Sequence, residues 1–174
     1  MTIAIKPTAS GSTIEQDGST ILTVDGSGNI TPSNQMYPKV PTFASYLSAN
    51  QVISSATWTK VAWDSEAWDN NSNFDTTNNR FLPTVAGYYS LNTLCRPNTT
   101  GRYAIAIRKN GTGYVRVNSY DTVTNDTYIN GCALVEANGT TDYFEIYIYG
   151  SVGFTLVTTN SIEVQNFQGH LVSV

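Results

Sequence analysis

The stretch that decides the fold runs from Trp63 to Tyr89 and reads WDSEAWDNNSNFDTTNNRFLPTVAGYY. Phe74, Phe81 and Tyr89 are large aromatic anchors, each able to bury on the order of 150–250 Å² of surface. The Asp and Asn residues between them are of the type that caps turns by bonding nearby backbone groups. Gly87 permits a close backbone approach or a bulge where the chain enters a central strand. The pattern therefore predicts aromatic core residues separated by turns.

The same stretch contains a spacing that imitates a metal-binding loop. Asp69, Asn71 and Asn73 alternate as the first three ligands of an EF-hand loop do. The sixth position requires Gly but holds Phe74, and the twelfth requires a bidentate Glu but holds Arg80. The EF-hand interpretation fails, and we expect no cofactor. Ca²⁺ bound by some of these oxygens in another geometry stays an alternative to a plain polar loop.

Four acidic side chains in the stretch raise the question of catalysis: Asp64, Glu66, Asp69 and Asp75. Glycoside hydrolysis needs two carboxylates roughly 5–10 Å apart with separated pKa values. In a strand, Asp64 and Glu66 would instead share one solvent-facing side. The single histidine, His170, is expected in the last strand with a hydrogen-bonded ring, and no G-x-S-x-G motif occurs. We expect no catalytic residues, no metal-binding residues and no enzymatic activity.

Composition excludes several classes of partner. The chain has 174 residues, a net charge of −4 and only nine Lys plus Arg, which suits one core and leaves little to neutralise a phosphate backbone. Ser, Thr, Asn and Gly are abundant, so helix should be nearly absent. Neither a signal-peptide core nor an 18-residue apolar stretch occurs. We expect no nucleic-acid partner, no membrane partner, and synthesis in a host cytoplasm without a signal peptide.

Two cysteines, Cys95 and Cys132, are too few for a disulfide framework and fit no C-x-x-C metal pattern. Two buried free thiols are expected. One disulfide between neighbouring strands is the alternative.

From Pro41 onward the sequence alternates between apolar and polar residues, as antiparallel strands do. Asn110-Gly111 and Asn138-Gly139 are typical of tight hairpin turns. Repeated strands without helices between them predict an all-β antiparallel sandwich or jelly roll, and periodicity does not choose between the two. The alternating segments span residues 57–64, 87–95, 102–109, 113–120, 128–137, 142–150 and 161–174.

The spacing Asp69, Phe74, Phe81, Gly87 and Tyr89 resembles the signature of the C1q-like globular head. The segments PTFASYLSANQVISSATWTKVAWD (41–64), KNG (109–111) and FQGHLVSV (167–174) resemble the opening strands, central hairpin and closing strand of that family. The resemblance covers roughly residues 40–174 and implies the antiparallel jelly roll that this family shares with tumour-necrosis-factor-like proteins. Trp63 replaces the usual Phe, and Leu91 and Thr93 replace common aromatics, which affects packing detail rather than the fold.

The resemblance also implies a tight homotrimer around an axis lined by aromatic and aliphatic residues. Both sides of the segment 142–149 are too apolar for a sheet with one wet face, so one side is expected in the core and the other against a neighbouring subunit. An aromatic-rich face that merely decorates the surface is the alternative. The candidate residues for trimer interface or core are Tyr143, Phe144, Ile146, Tyr147, Ile148 and Tyr149.

Residues 1–39 differ in composition from the rest and form a predicted arm. D-G-S turns at 17–19 and 25–27 recur with a period of eight, which predicts short β-segments that reverse repeatedly. The apolar residues are too few to bury a face within one chain, so the arm should be ordered against copies of itself or a partner. Its expected apolar anchors are Ile3, Ile5, Ile14, Ile21, Leu22 and Val24.

This arm looks like the shaft connectors of bacteriophage fibres and spikes, and its length is short for a long tail fibre. We therefore expect a trimeric virion-surface structural protein, a capsid decoration, spike or short fibre, whose arm binds a capsid or tail protein. The alternative is a receptor- or carbohydrate-binding head that recognises a host-surface glycan. Its candidate ligand loop contains Tyr120, Asn125 and Tyr128, whose rings and amide suit sugars.

Overall fold

The computed structural model describes residues 2–9, 11–32, 40–124 and 127–174. The chain divides into two compact units, Met1–Lys39 and Val40–Val174. Every regular element in the described ranges is a β-strand, as the composition predicts. Those ranges accordingly include no helix that could span a membrane.

The N-terminal unit contains one antiparallel sheet in which each strand pairs with the next along the chain. Asp17 (φ 49°) and Gly18 (φ 84°) make the tight turn that places Gln16 opposite Ser19. The Asp25 carboxylate accepts hydrogen bonds from backbone amides at 27 and 29 and shapes the next turn. The strands are β1 (Ile3–Thr8), β2 (Gly11–Gln16), β3 (Ser19–Asp25) and β4 (Ile30–Pro32).

The second unit, called the head below, contains two main antiparallel sheets and a short two-stranded one, with many neighbours far apart in sequence. Its strands are β5 (Thr42–Tyr46), β6 (Gln51–Ile53), β7 (Thr59–Lys60), β8 (Ser65–Asp69), β9 (Phe74–Asp75), β10 (Arg80–Phe81), β11 (Gly87–Cys95), β12 (Gly101–Lys109), β13 (Thr112–Thr122), β14 (Ile129–Ala137), β15 (Phe144–Gly150), β16 (Phe154–Leu156) and β17 (Asn166–Ser173). The six-stranded sheet has the order β13-β12-β15-β10-β9 with β7 also paired to β15. The five-stranded sheet has the order β14-β11-β17-β5-β8, and β16 pairs with β6.

The core of the head lies between the two main sheets, because alternate side chains of both point inward. Phe43 of the five-stranded sheet stacks on Phe81 of the six-stranded sheet, with ring centroids 4.3 Å apart. Phe74 and Phe167 complete this aromatic cluster at 5.2 and 5.1 Å from Phe43. Since every member of the core belongs to residues 43–167, the head has a hydrophobic core of its own.

One predicted hairpin turn is confirmed and the other is wrong. Asn110 (φ 54°) and Gly111 (φ 76°) join β12 to β13 with Lys109 opposite Thr112. The strands that flank Asn138-Gly139, β14 and β15, lie in different sheets. There the Asn138 side-chain oxygen accepts hydrogen bonds from backbone amides at 140, 141 and 142, which folds a loop that crosses between sheets.

Two predicted strands are shorter than expected. The segment 57–64 pairs only at Thr59–Lys60, although Val61 and Trp63 are fully buried. The segment 161–174 pairs only at Asn166–Ser173. Alternating hydrophobicity reports alternate burial, which a packed loop can satisfy without ladder hydrogen bonds.

Candidate functional site

The candidate metal loop is a turn held by its own carboxylate. Asp69 accepts hydrogen bonds from the backbone amides of Asn71 at 3.1 Å and Phe74 at 2.7 Å. The Asn73 amide nitrogen donates to the Thr84 hydroxyl at 3.0 Å. Among the described residues no three Asp, Glu, His or Cys side chains are placed to hold one metal ion. The Asp69 carboxylate thus shapes the local backbone, and Ca²⁺ bound by some of these oxygens in another geometry stays a prediction.

The other three acids of the stretch either accept hydrogen bonds from backbone amides or face solvent. Asp64 accepts hydrogen bonds from the Ser48 amide at 2.7 Å and hydroxyl at 2.6 Å. Asp75 accepts one from the Asn78 amide at 2.9 Å. Glu66 lies exposed on β8. Asp64, Asp69 and Asp75 thus serve as acceptors for backbone amides, and Glu66 faces solvent.

The family-pattern residues occupy structural positions. Phe81 and Tyr89 are buried in the core, and the Tyr89 hydroxyl donates to the Val85 carbonyl at 2.8 Å. Gly87 has φ 148°, and a Cβ atom there would lie 2.3 Å from the Ser173 carbonyl oxygen. A residue with a side chain would thus be strained and would collide with β17.

The two sides of β15 have different environments. Phe144, Ile146 and Ile148 are completely buried in the core. On the opposite side the Arg108 guanidinium lies 3.7 Å from the centre of the Tyr147 ring, and Tyr149 packs against Trp58 with ring centroids 5.6 Å apart. The outward aromatic rings are therefore already in contact with other side chains of the same chain.

The outer face of the six-stranded sheet carries a groove, which we call the arginine groove. The groove runs along β12, whose outward side chains are Arg102, Ala104, Ala106 and Arg108. The two small alanines leave open space between the two arginines. Two cavities of about 340 and 250 Å³ lie along the groove and share Trp58 and Arg116. The first is lined by Trp58, Arg102, Ala104, Arg116, Ser119, Tyr149 and Ser151. The second is lined by Trp58, Ala106, Arg108, Gly113, Tyr114, Val115 and Arg116.

A bulge places Arg116 in this groove. Near the turn Arg108 is opposite Gly113, but after a register shift at Tyr114 the residue opposite Ala106 is Arg116. Without the shift Arg116 would pair with Ile105, whose side chain faces the core. The extra residue thus moves a guanidinium from the core side to the outer side, where it lies 5.4 Å from the Trp58 ring.

The groove is basic although the chain is acidic. Among the described residues Arg102, Arg108 and Arg116 form no ion pair. Glu145 lies opposite Arg108 in the register, but the Lys60 ammonium binds it at 2.9 Å. The acid opposite Arg108 is thereby paired with Lys60, whereas Asp121, opposite Arg102, forms no ion pair among the described residues. Sequence reasoning missed this site, although R-Y-A-I-A-I-R already placed two arginines and two alanines on one side of a strand.

Two of the three residues of the candidate ligand loop lie in the described part of the chain. Tyr120 and Tyr128 are about half exposed, and the Arg96 guanidinium lies 5.9 Å from the centre of the Tyr128 ring. Asn125 lies outside the described residues. A ligand role for these three residues stays a prediction.

Two expectations about residues of the five-stranded sheet are wrong: the burial of Cys132 and the hydrogen bond of the His170 ring. Cys95 is buried, and burial raises the pKa of its thiol to about 12. Cys132 is exposed, and the two thiols form no disulfide, because Cys132 has the outward parity of β14. His170 is also exposed, and its ring forms no hydrogen bond with any described residue, contrary to expectation. Trp68, Tyr88 and Leu134 are exposed on the outer face of the same sheet.

The head consists of two antiparallel sheets, joined by connections that pass from one sheet to the other, around a shared aromatic core. This arrangement is a C1q/TNF-like jelly roll. The globular domain of zebrafish complement 1qA protein aligns with a TM-score of 0.51 at 14% identity, over 76% of this chain and 97% of that one. Murine APRIL aligns with a TM-score of 0.55 at 10% identity, over 76% and 99%. The PRD1 vertex protein P5 aligns with a TM-score of 0.54 at 12% identity, over 91% and 86%. The sequence matches no protein-family model and no curated protein.

Proposed function

We propose that this chain is a non-enzymatic structural protein of a virion surface: a capsid decoration, spike or short fibre. Its N-terminal arm binds a capsid or tail protein of the particle, and its C1q/TNF-like head forms a homotrimer that faces outward. The observation that carries this proposal is the distribution of apolar side chains in the arm.

The strand register of the arm gathers its apolar residues on one face. Ile5 lies opposite Ile14, Ile14 lies opposite Leu22, and Val24 lies opposite Ile30. Residues that oppose one another in antiparallel strands share a face, as do alternate residues along each strand. Ile21 lies at a register shift and is outside this set. The apolar face, as we call it below, comprises Ile3, Ile5, Ile14, Leu22, Val24 and Ile30.

Among the described residues of the arm, none covers the apolar face. No described residue of the arm is buried, and the exposed fractions of Ile5 and Ile30 are 72% and 65%. The other face is polar and includes an ion pair between Lys6 and Glu15 at 2.5 Å. A sheet with one apolar face needs a second apolar layer against that face, because burial offsets the conformational entropy that the sheet loses on folding. A surface of the particle, or the arm of another copy, would supply that layer.

The likeness to the PRD1 vertex protein supports the same location. That alignment covers 91% of this chain, whereas those with the complement and APRIL domains cover 76%. The uncovered remainder is shorter than the unit 1–39, so the alignment includes part of the arm. Part of the arm, as well as the head, therefore aligns with the vertex protein.

For the homotrimer we propose contacts through the outer face of the five-stranded sheet. Trp68 and Leu134 lie at its two edge strands, and their side chains are 44% and 61% exposed. Large apolar side chains on one face are typical of subunit contacts. The outward side of β15 is the alternative surface, but Tyr147 and Tyr149 already pack against Arg108 and Trp58.

The attachment is tested by sedimentation with particles that lack this component. Full-length protein should co-sediment, whereas residues 40–174 should stay in the supernatant as a trimer by light scattering. Ile5→Asn should weaken co-sedimentation because it places an amide on the apolar face. Ala4→Asn, on the opposite face of the same strand, is the matched control and should sediment as the wild type does. Co-sedimentation of the truncated head would refute attachment through the arm.

A further inference from the structure

We infer that the arginine groove binds an acidic saccharide chain, with carboxylate or sulfate groups on its arginines and sugar rings against its aromatic side chains. This binding site goes beyond the proposed structural role and does not depend on where in a particle the protein is located. Three properties of the groove support it: its charge, its aromatic lining and its shape.

The charge of the groove favours an anionic ligand. Arg102, Arg108 and Arg116 converge on one face without a carboxylate partner in the described part of the chain. Asp121, opposite Arg102 in the register, is exposed and forms no ion pair. The guanidinium group presents a planar fork of donors that matches a carboxylate or sulfate. In a chain of net charge −4, three such groups on one surface favour an acidic ligand.

The aromatic lining favours a saccharide over a simple anion. Trp58 borders both cavities, and Tyr149 packs beside it in the first. The apolar faces of sugar rings pack against indole and phenol rings, while the polar tips of these side chains bond hydroxyl groups. Arg108, stacked 3.7 Å from the centre of the Tyr147 ring, is held in place before a ligand arrives.

The shape of the groove favours a chain. Two open cavities in line, joined at Trp58 and Arg116, provide adjacent positions rather than one closed pocket. The small side chains of Ala104 and Ala106 make the floor, so a ligand can approach the strand backbone closely. A nucleic acid is disfavoured because the nine Lys plus Arg of the chain leave little beyond the three arginines of the groove to neutralise its closely spaced phosphates.

The test measures binding of full-length protein by isothermal titration calorimetry. The probes are an oligomer of uronic acid, a sulfated dextran and neutral dextran of similar length. We expect binding of one or both acidic probes, weaker binding in high salt, and none of the neutral probe. Arg116→Gln should reduce affinity about tenfold or more, because Arg116 lines both cavities and the substitution removes its charge-assisted hydrogen bond to the ligand.

Ala106→Phe provides a second variant because it fills the floor without changing charge, and it should also reduce affinity about tenfold. Lys6→Gln removes one positive charge far along the chain from the groove residues and is the matched control, expected to bind as the wild type does. Unchanged affinity in both groove variants would overturn the inference. Equal or tighter binding of single-stranded DNA would also overturn it, because the groove would then respond to charge alone. Failure of arm-mediated attachment to particles would leave this result untouched.

Discussion

Gly87→Ala is the most direct test of the fold argument, because one methyl group should disturb two strands. Gly87 has φ 148°, where side chains are strained, and an added Cβ would lie 2.3 Å from the Ser173 carbonyl oxygen. The Leu171 side chain would lie 2.9 Å away. The backbone carbonyl cannot rotate aside, so the end of β17 would have to move from β11.

The expected magnitude follows from these two effects. A residue with a side chain in a sparsely populated region of φ costs about 1–3 kcal/mol. Displacing β17 sacrifices the pairing of Tyr88 with Ser173, and a lost backbone hydrogen bond costs about 1 kcal/mol. Together they lower the free energy of unfolding by about 2–4 kcal/mol. At an m-value of about 2 kcal/mol/M, the urea midpoint falls by about 1–2 M.

Tryptophan fluorescence in urea is a suitable assay, since Trp58, Trp63 and Trp68 all belong to the head and report its unfolding alone. Gly113→Ala is the matched control. Gly113 lies within β13, and a Cβ there would meet no atom within 4 Å. Its free energy of unfolding should stay within about 0.5 kcal/mol of the wild-type value. A Gly87→Ala midpoint equal to that of the control would refute the steric argument.

Leu134→Asp should lower the molar mass of the protein in light scattering from that of a trimer to that of a monomer. Tyr147→Asp should leave the mass unchanged, and the reverse result would assign the subunit contact to β15. The side-chain hydrogen bond from Asn78 lowers the pKa of Asp75 from 3.8, so its stabilisation is present above that pH and is lost below it. Asp75→Asn should therefore be less stable at pH 7 but lose less stability toward pH 3, and equal losses in both proteins would contradict this. In a Cys132→Ser background the Cys95 thiol, with its pKa near 12, should react with a maleimide only after urea unfolding, and rapid labelling of native protein would show that Cys95 is accessible.

The sequence alone was sufficient for the class of fold and for the family pattern. Alternation over residues 87–95 and 102–109 predicts β11 and β12, and Asn110-Gly111 predicts the turn after β12, because these signals depend on neighbouring residues. The spacing of Phe74, Phe81, Gly87 and Tyr89 likewise reports a local sequence of anchors and turns. Such features need no knowledge of which strands meet.

Register and strand partners were decided only by the tertiary structure. The isolated apolar residues of the arm become one face once Ile5, Ile14 and Leu22 align, and no local pattern states that alignment. Asn138-Gly139 has the chemistry of a hairpin turn, yet its flanking strands find partners in opposite sheets. The bulge at Tyr114 turns Arg116 outward, where Trp58 from a distant loop completes the groove. The physical reason is that one residue of register reverses the face of every side chain beyond it, and long-range packing selects that register.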